Sequence, residues 1–393
     1  MNSEIDLTEH WQPIVQAIHD GEFQAVLAVT GGGSGALSAL LETPGASRTV
    51  LEAVVPYSAE SLRQWIGGTP DQACSEATAR AMAMAAWMRA REFAPDADPA
   101  KLIGLGSTAS LATDRAKRGD HRVHVALQTG AFTRTCKLSF DSDRKRPEEE
   151  RLATCLILCL LAESAEVDCE RVSIAIEEAL QTDERLTKKE QAALPRWWRL
   201  ILQDFQSTSV RAPDQPAGQE VSWRKLLFPG SFNPLHKGHL RMAEIAEQRI
   251  AKPLAWELSL MNVDKPPMDC LTLEERLAAI HEIDPSRPIE VSTMATFAEK
   301  SEVSEDITFV VGLDTILRID DLKYYANESA RDSAFATIKS AGCKFLVFGR
   351  NIDGNFQVLS DIQLSPALRE LCEEVTAEEF REDISSTQLR TQP

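Results

Sequence analysis

The sequence predicts an α/β protein of two domains, each a sheet covered by helices. Three observations carry that expectation. The chain has 393 residues, enough for two or three domains at roughly 150 residues each. Short apolar runs alternate with helical stretches twice, once before residue 167 and again after residue 223. A polar, proline-containing tract at 207–219, STSVRAPDQPAGQ, is the clearest linker between them. The chain accordingly divides into 1–167, a helical connecting segment with linker at 168–222, and 223–393.

In the first domain, residues 23–29 (FQAVLAV) form an apolar strand that ends in the glycine cluster 30–35 (TGGGSG), ahead of a helical stretch at 36–41. Alanine and methionine with few breakers predict a helix over 71–92. Strands follow at 101–105 and 122–129, the second carrying the alternating VHVALQT. Residues 147–167 read as a long helix, with Glu148, Glu149 and Glu150 in its first turn, where carboxylates face the positive end of the dipole. The connecting segment carries Trp197 and Trp198, read as packing anchors.

The apolar run inside the long helix, LATCLILCLLA at 152–162, is far short of the ~20 residues a bilayer requires. The N-terminus is acidic and has no apolar stretch of the signal-peptide kind. Eight cysteines without a CxxC pair point to a reducing compartment, and Cys155 and Cys159, one helical turn apart, read as reduced core thiols. The expectation is a cytoplasmic protein with no membrane partner.

Beyond the linker the pattern is more regular. Strands are expected at 225–228 (KLLF), 256–260, 307–311 (ITFVV) and 344–348 (KFLVF), with helices at 240–250 and 273–283. Such alternation implies a parallel sheet whose ligands bind at the carboxyl ends of the strands. Net charge is −18, and residues 223–393 hold 19 basic against 28 acidic side chains, so acidity is even along the chain. Without a basic half, the phosphate backbone of a nucleic acid is not an expected partner.

The chemistry concentrates at 228–240, FPGSFNPLHKGHL. A strand runs into Gly230, where the backbone can approach a ligand closely, and His236 and His239 flank Gly238 at the entrance to a helix. A phosphate placed there meets backbone N–H groups and the positive helix end. Two imidazoles beside it can donate to oxygens that gain charge as a phosphoryl bond breaks. No covalent nucleophile is required, because phosphoryl transfer rests on positioning and charge stabilisation.

GSFNPLHKGH resembles the signature of the HxGH nucleotidyltransferases, and specifically of nicotinamide or nicotinate mononucleotide adenylyltransferases. Further stretches match in order: NVDKP at 262–266, LTLEERL at 271–277, FVVGLDT at 309–315, FGR at 348–350 and ISSTQLR at 384–390. The resemblance implies a Rossmann-like sheet of the nucleotidyltransferase type and attack of a mononucleotide phosphate on the α-phosphorus of ATP, with Mg²⁺ bridging the phosphates. It assigns transition-state stabilisation to His236 and His239. Triphosphate contacts fall to Gly230, Ser231, Phe232, Ser385, Ser386, Thr387 and Arg390. Mononucleotide contacts fall to Asn233, Lys265, Gly312, Asp314 and Thr315. Where the bacterial enzymes place a tryptophan after G-x-D, this chain has RIDDLKYY, leaving Tyr324 or Tyr325 to stack on a pyridine ring.

The first domain resembles the C-terminal domain of CinA proteins, the nicotinamide-nucleotide amidohydrolases, over TGGGSGALSALLETPGASRTVLEAVVPYS at 30–58. The departures fall on the chemistry. Ala28 stands where the family has its serine, Leu62 where it has its lysine, and GLGSTASL at 104–111 replaces its second loop. A hydrolase that activates a serine with a nearby base cannot run on alanine and leucine, so a retained α/β fold without amidase activity is expected. Ser34 and Ser107 read as turn formers. His121 and His124, three apart at a strand, point to opposite faces, and no metal site is inferred.

The leading function is therefore an ATP-dependent mononucleotide adenylyltransferase of NAD biosynthesis, with small-molecule nucleotides as partners. The alternatives are a cytidylyltransferase, an adenylyltransferase on another phosphorylated acceptor, and a nucleotide-binding regulator without turnover. The sequence is compatible with a homo-oligomer and sets no stoichiometry.

Overall fold

The computed structural model describes residues 11–114, 119–141, 144–194, 197, 200–201, 207–210, 225–263, 266–352 and 354–382. The chain divides into two units, Met1–Leu194 with Asp264–Leu271, and Pro195–Val263 with Thr272–Pro393.

The first unit is organised on β1 (Gln24–Thr30), buried along nearly its whole length. A strand covered on both faces has no polar side to show, which explains its unbroken apolar run. It lies between β2 (Val50–Val54) and β3 (Leu102–Ser110), parallel to both. The sheet continues antiparallel through β4 (Arg122–Gln128), β5 (Phe132–Ser139) and β6 (Arg185–Ala192), in the order β2-β1-β3-β4-β5-β6. Helix α1 (Trp11–Asp20) precedes β1, and α2 (Gly35–Glu42), α3 (Ala46–Thr49) and α4 (Ala59–Trp65) occupy the first connections. Helix α5 (Glu76–Phe93) starts later than composition suggests, because Ser75 caps it by accepting the Thr78 N–H.

Helix α5 lies on β3 with almost no side chain between them. A methyl group added at Gly104 would sit 2.1 Å from the Ala83 carbonyl oxygen, and one at Gly106 2.3 Å from that of Ala79. Helix α6 (Arg146–Ser164) is apolar nearly all round and buries Leu152, Cys155, Leu156, Cys159 and Leu160 in the core it shares with α1 and β1. Helix α7 (Glu170–Ala179) adds Val172 and Ile176 to the same core. Together with β6 it belongs structurally to the first unit, although the sequence reading placed both in the connecting segment. Strand β6, RLTKKEQA, is an exposed edge whose lysines discourage pairing with another chain.

In the second unit β7 (Ser207–Val210) pairs antiparallel with β10 (Ile289–Ser292). This corrects the reading of 207–219 as linker throughout: its first four residues are an edge strand, and 211–219 lie outside the described residues. The remaining strands, β8 (Leu226–Pro229), β9 (Ala255–Ser259), β10, β11 (Thr308–Gly312), β12 (Lys344–Phe348) and β15 (Cys372–Val375), are all parallel. A small hairpin, β13 (Arg350–Ile352) with β14 (Asn355–Gln357), follows β12.

The order is β15-β12-β11-β8-β9-β10-β7. The chain builds outward from β8 through β9 to β10, then returns to β11 and builds the other way. That doubly wound order opens a crevice at the carboxyl ends of β8 and β11. The connecting helices are α8 (Lys237–Ile250), α9 (Cys270–Ile283), α10 (Phe297–Val303), α11 (Leu313–Asp320), α12 (Glu328–Ser340) and the short α13 (Pro366–Arg369). Phe297, Phe309 and Phe345 meet edge-on or tilted in the core on one face. Trp197 is fully buried, whereas Trp198 lies outside the described residues. Among the described residues no helix is long and apolar enough to cross a membrane.

Candidate functional site

Strand β8 delivers Gly230 to the switch point, where its N–H donates to the Glu257 carbonyl at 3.0 Å. Phe232 turns back beneath it with φ of +42° and is buried. A side chain at Gly230 would lie 2.7 Å from that ring, so the position takes glycine. Phe232 joins Phe228 and Trp256 in an aromatic floor, and both phenylalanines meet the His239 ring edge-on at 5.3 and 5.7 Å.

Helix α8 begins on this floor with His236 as its N-cap. His236 Nδ1 accepts the Gly238 N–H at 3.2 Å, and His239 Nδ1 accepts the His236 N–H at 3.3 Å. An imidazole that accepts at Nδ1 carries its proton on Nε2 when neutral, so the backbone fixes both tautomers. The two rings stack with centroids 3.8 Å apart. Burial, joined by the Arg350 guanidinium, holds His236 below the ordinary histidine range. Burial and the charges of His236 and Arg350 push His239 down to about 3. Both rings are therefore neutral Nε2–H donors at physiological pH. His236 Nε2 is buried and meets no partner among the described residues.

Arg350 completes the arrangement. It follows β12, and its Nη1 is likewise buried without a partner among the described residues. Its Nε lies 3.4 Å from Asp314 Oδ1, at the start of α11. The guanidinium crosses Gly312 closely enough that a Cβ there would meet Arg350 Nε at 2.7 Å and Asp314 Oδ1 at 2.5 Å. Gly230, Phe232, His236 and His239 thus gather at one strand end, and Arg350 ties Gly312 and Asp314 to them.

Of the other predicted residues, Ser231 is exposed at the turn, and Asn233 and Thr315 are half-buried. Lys265, Ser385, Ser386, Thr387 and Arg390 lie outside the described residues. Tyr325 is engaged, with its hydroxyl on the Ile319 carbonyl at 2.8 Å and its ring against Phe335. Tyr324 is flanked by the cations of Arg318 and Lys323. Sequence reasoning matched FGR to a pattern but did not count Arg350 as a site residue; an arginine directly after an apolar strand and a glycine was the available signal.

In the first unit, Ala28 and Leu62 pack in one apolar cluster with Ile66 and Met82. The Glu150 carboxylate takes the N–H of Gly33 at 2.9 Å, the N–H of Ser34 at 2.8 Å and the Ser34 hydroxyl at 3.0 Å. Arg146 donates to the Gly31 carbonyl at 3.2 Å. Neighbouring Glu149 accepts the Ala112 N–H at 2.6 Å and pairs with His121 Nδ1 at 2.6 Å. Burial, joined by Lys137 and Arg122, lowers His124 to about 4. Ser107 is buried, with no partner for its hydroxyl among the described residues. No three His, Cys, Asp or Glu side chains gather as a metal site among the described residues.

Comparison with known proteins matches residues 227–392 to the cytidylyltransferase-like family. A Schizosaccharomyces pombe protein provisionally named nicotinamide mononucleotide adenylyltransferase is 30% identical over 148 residues, 34% of this chain and 57% of that protein. The chain thus spans little more than half the length of that curated relative. Among solved structures, competence/damage-inducible protein CihA of Agrobacterium tumefaciens aligns at 20% identity over 42% of this chain and 95% of its own, with a TM-score of 0.31. A CinA-superfamily protein of Klebsiella pneumoniae aligns at 17% identity over 40% and 96%, with a TM-score of 0.32. The C-terminal region is a cytidylyltransferase-like domain of the HxGH nucleotidyltransferase kind.

Proposed function

We propose that this protein transfers AMP from ATP to a pyridine mononucleotide, nicotinamide or nicotinate mononucleotide, and releases pyrophosphate, a step of NAD biosynthesis. One observation carries the reading. At the switch point of a doubly wound sheet, two buried donors, His236 Nε2 and Arg350 Nη1, have no partner among the described residues. Buried donors left unpaired are costly unless a ligand completes them, and what they suit is an anion.

The acceptor phosphate oxygen attacks the α-phosphorus; a P–O bond forms as the bond to pyrophosphate breaks. Charge accumulates on the surrounding oxygens, where two neutral imidazoles donate from Nε2 and the guanidinium supplies the positive charge. Neutral rings matter here, because two imidazolium ions beside Arg350 would repel it. Magnesium would enter with ATP as part of the substrate and would offset the negative charge of its phosphates. Gly230, Ser231, Phe232, Ser385, Ser386, Thr387 and Arg390 are assigned the triphosphate. Asn233, Lys265, Gly312, Asp314 and Thr315 are assigned the mononucleotide. The pyridine-nucleotide acceptor is supported by GSFNPLHKGH and by the name of the yeast relative. In the same reading the first unit hydrolyses no amide, since Ala28 and Leu62 supply neither nucleophile nor base.

The test is pyrophosphate release by the purified chain with ATP or CTP against a panel of phosphorylated acceptors. Release with ATP and either mononucleotide is expected. CTP used in place of ATP would replace this reading with a cytidylyltransferase, and tight nucleotide binding without release would make the protein a regulator.

A further inference from the structure

One buried group beside the switch point is left over by the proposed chemistry. Among the described residues of the second unit, three buried side-chain atoms meet no hydrogen-bond partner: His236 Nε2, Arg350 Nη1 and Glu257 Oε2. The first two are donors. The third is an acceptor on β9, 1% exposed, in register with Pro229 at the carboxyl end of β8. The backbone carbonyl of the same residue takes the Gly230 N–H.

Successive strand residues face opposite sides of a sheet. Trp256 turns to the aromatic floor under His239, so Glu257 turns to the other face, where it meets α10. There the Lys300 ammonium donates to Glu257 Oε1 at 3.0 Å and to the Met294 carbonyl at 2.6 Å. The Ser292 hydroxyl donates to the same Oε1. Both donors thus fall on one oxygen of the carboxylate. Lys300 already balances the charge, so what Oε2 lacks is a neutral hydrogen-bond donor. A second carboxylate would meet an anion there, and a second cation would leave excess positive charge in a buried site.

We propose that Glu257 Oε2 accepts an N–H of the acceptor's carboxamide, so that Glu257 selects nicotinamide mononucleotide over the nicotinate form. The selection rests on the pyridine-nucleotide reading and narrows it to one acceptor. Strand β9 leads directly into NVDKP, whose Lys265 that reading assigns to the mononucleotide, which favours the acceptor over ATP as the source of the donor. A carboxamide offers two N–H donors and no charge. The nicotinate form sets a negative oxygen against Oε2 instead, and the buried acceptor stays unpaired. One substrate pair then completes all three buried atoms: phosphate oxygens on His236 and Arg350, and the amide on Glu257.

The experiment measures kcat/KM for pyrophosphate release by the full chain with ATP and the mononucleotides of nicotinamide, nicotinate and 3-acetylpyridine. The last keeps the carbonyl and the ribose and replaces the amide nitrogen with a methyl group. The nicotinamide form should exceed both others by roughly 10–100-fold, the scale for leaving a buried acceptor unpaired. Glu257→Gln combined with Lys300→Met, which keeps the site neutral, should abolish the preference over nicotinate, because a glutamine amide can donate to a carboxylate. Equal use of the nicotinamide and 3-acetylpyridine forms, a preference for nicotinate, or a preference that survives in the double variant would overturn the selection and leave adenylyl transfer standing. Release with no pyridine mononucleotide would sink both. ATP is also compared with purine riboside triphosphate, which lacks the 6-amino group; discrimination between them that the double variant removes would give the oxygen to the nucleotide base and overturn the proposal. The acceptor series on the unmodified chain decides the outcome even if the variant fails to fold.

Discussion

The two units contain the same local construction put to different ends. In each, a buried central strand runs into a glycine-bearing loop that opens a helix: β1 through Gly31–Gly33–Ser34 into α2, and β8 through Gly230 and His236 into α8. In the first unit the donors at that loop already hold an anion, since Glu150 accepts from Gly33 and Ser34. In the second unit His236 Nε2 and Arg350 Nη1 are buried and have no partner among the described residues. A glycine loop at a strand end is therefore a scaffold. What distinguishes a filled loop from an open one is whether the chain supplies its own carboxylate.

The widest gap between the loops should appear in turnover. His236→Ala or His239→Ala should lower the rate of pyrophosphate release by roughly 10²–10³, the scale for removing one preorganised donor. KM should move less, because these contacts strengthen in the transition state. A pair of variants with raised KM and undiminished turnover would make the histidines ordinary binding groups.

Glycine substitutions sharpen the contrast. Gly31→Ala places a methyl group 2.0 Å from the Ala109 carbonyl oxygen on a residue with φ of +80°, so we expect a loss of about 3 kcal/mol or more by chemical denaturation. Gly312→Ala meets side-chain atoms of Asp314 and Arg350 first, where Gly31→Ala meets backbone. It should leave stability within about 1 kcal/mol while cutting turnover by tenfold or more, by moving the guanidinium. Equal effects of the two on stability would erase the distinction.

Acid supplies a smaller difference. His124 is held at about 4 in the folded state against an ordinary 6.5. Above 6.5 it is neutral folded or unfolded; as pH falls from 6.5 toward 4 the unfolded chain alone gains the proton, so stability is lost across that window. Allowing for partial solvation, the loss is about 2 kcal/mol, and His124→Leu should flatten it in urea titrations. His239 has the same sign, and with both site histidines neutral, turnover should show no break near pH 6.5 from them. A break there that vanishes in His236→Gln would mean a charged imidazole.

Smallest is the carboxylate itself. Glu150→Ala should cost about 1 kcal/mol, since water replaces part of what the loop N–H groups lose, and should leave pyrophosphate release unchanged. A change in release would show that the two loops are not independent.

How much of this was readable in advance depended on chain distance and on exposure. His236, Gly238 and His239 are contiguous and sit just past an apolar strand, so their spacing alone placed them at a helix entrance. Arg350 meets them only through the parallel pairing of β8, β11 and β12, which no local pattern reports. Glu150 was expected in the first helical turn, which starts at Arg146 and holds Glu148 and Glu149 instead, and nothing local marked it as the ligand of a loop more than a hundred residues earlier. Strand β6 was hidden by its two lysines and its glutamate, because an exposed edge carries no alternation. Strand β7 was hidden inside a tract whose composition reads as linker.

The closeness of α5 to β3 has a consequence for how this chain can drift. At Gly104 and Gly106 the helix backbone fills the space where any side chain would begin, and no neighbouring rotamer can make room for it. Gly354 also has a positive φ, +85°, but nothing lies within 4 Å of its would-be Cβ. In a saturation library selected only for folding, Gly104 and Gly106 should return glycine alone, while Gly354 should admit asparagine and aspartate, the residues that tolerate that backbone. Two glycines hidden in a strand would then stand beside Gly31 among the most intolerant sites in the first unit, although neither has any chemistry to perform.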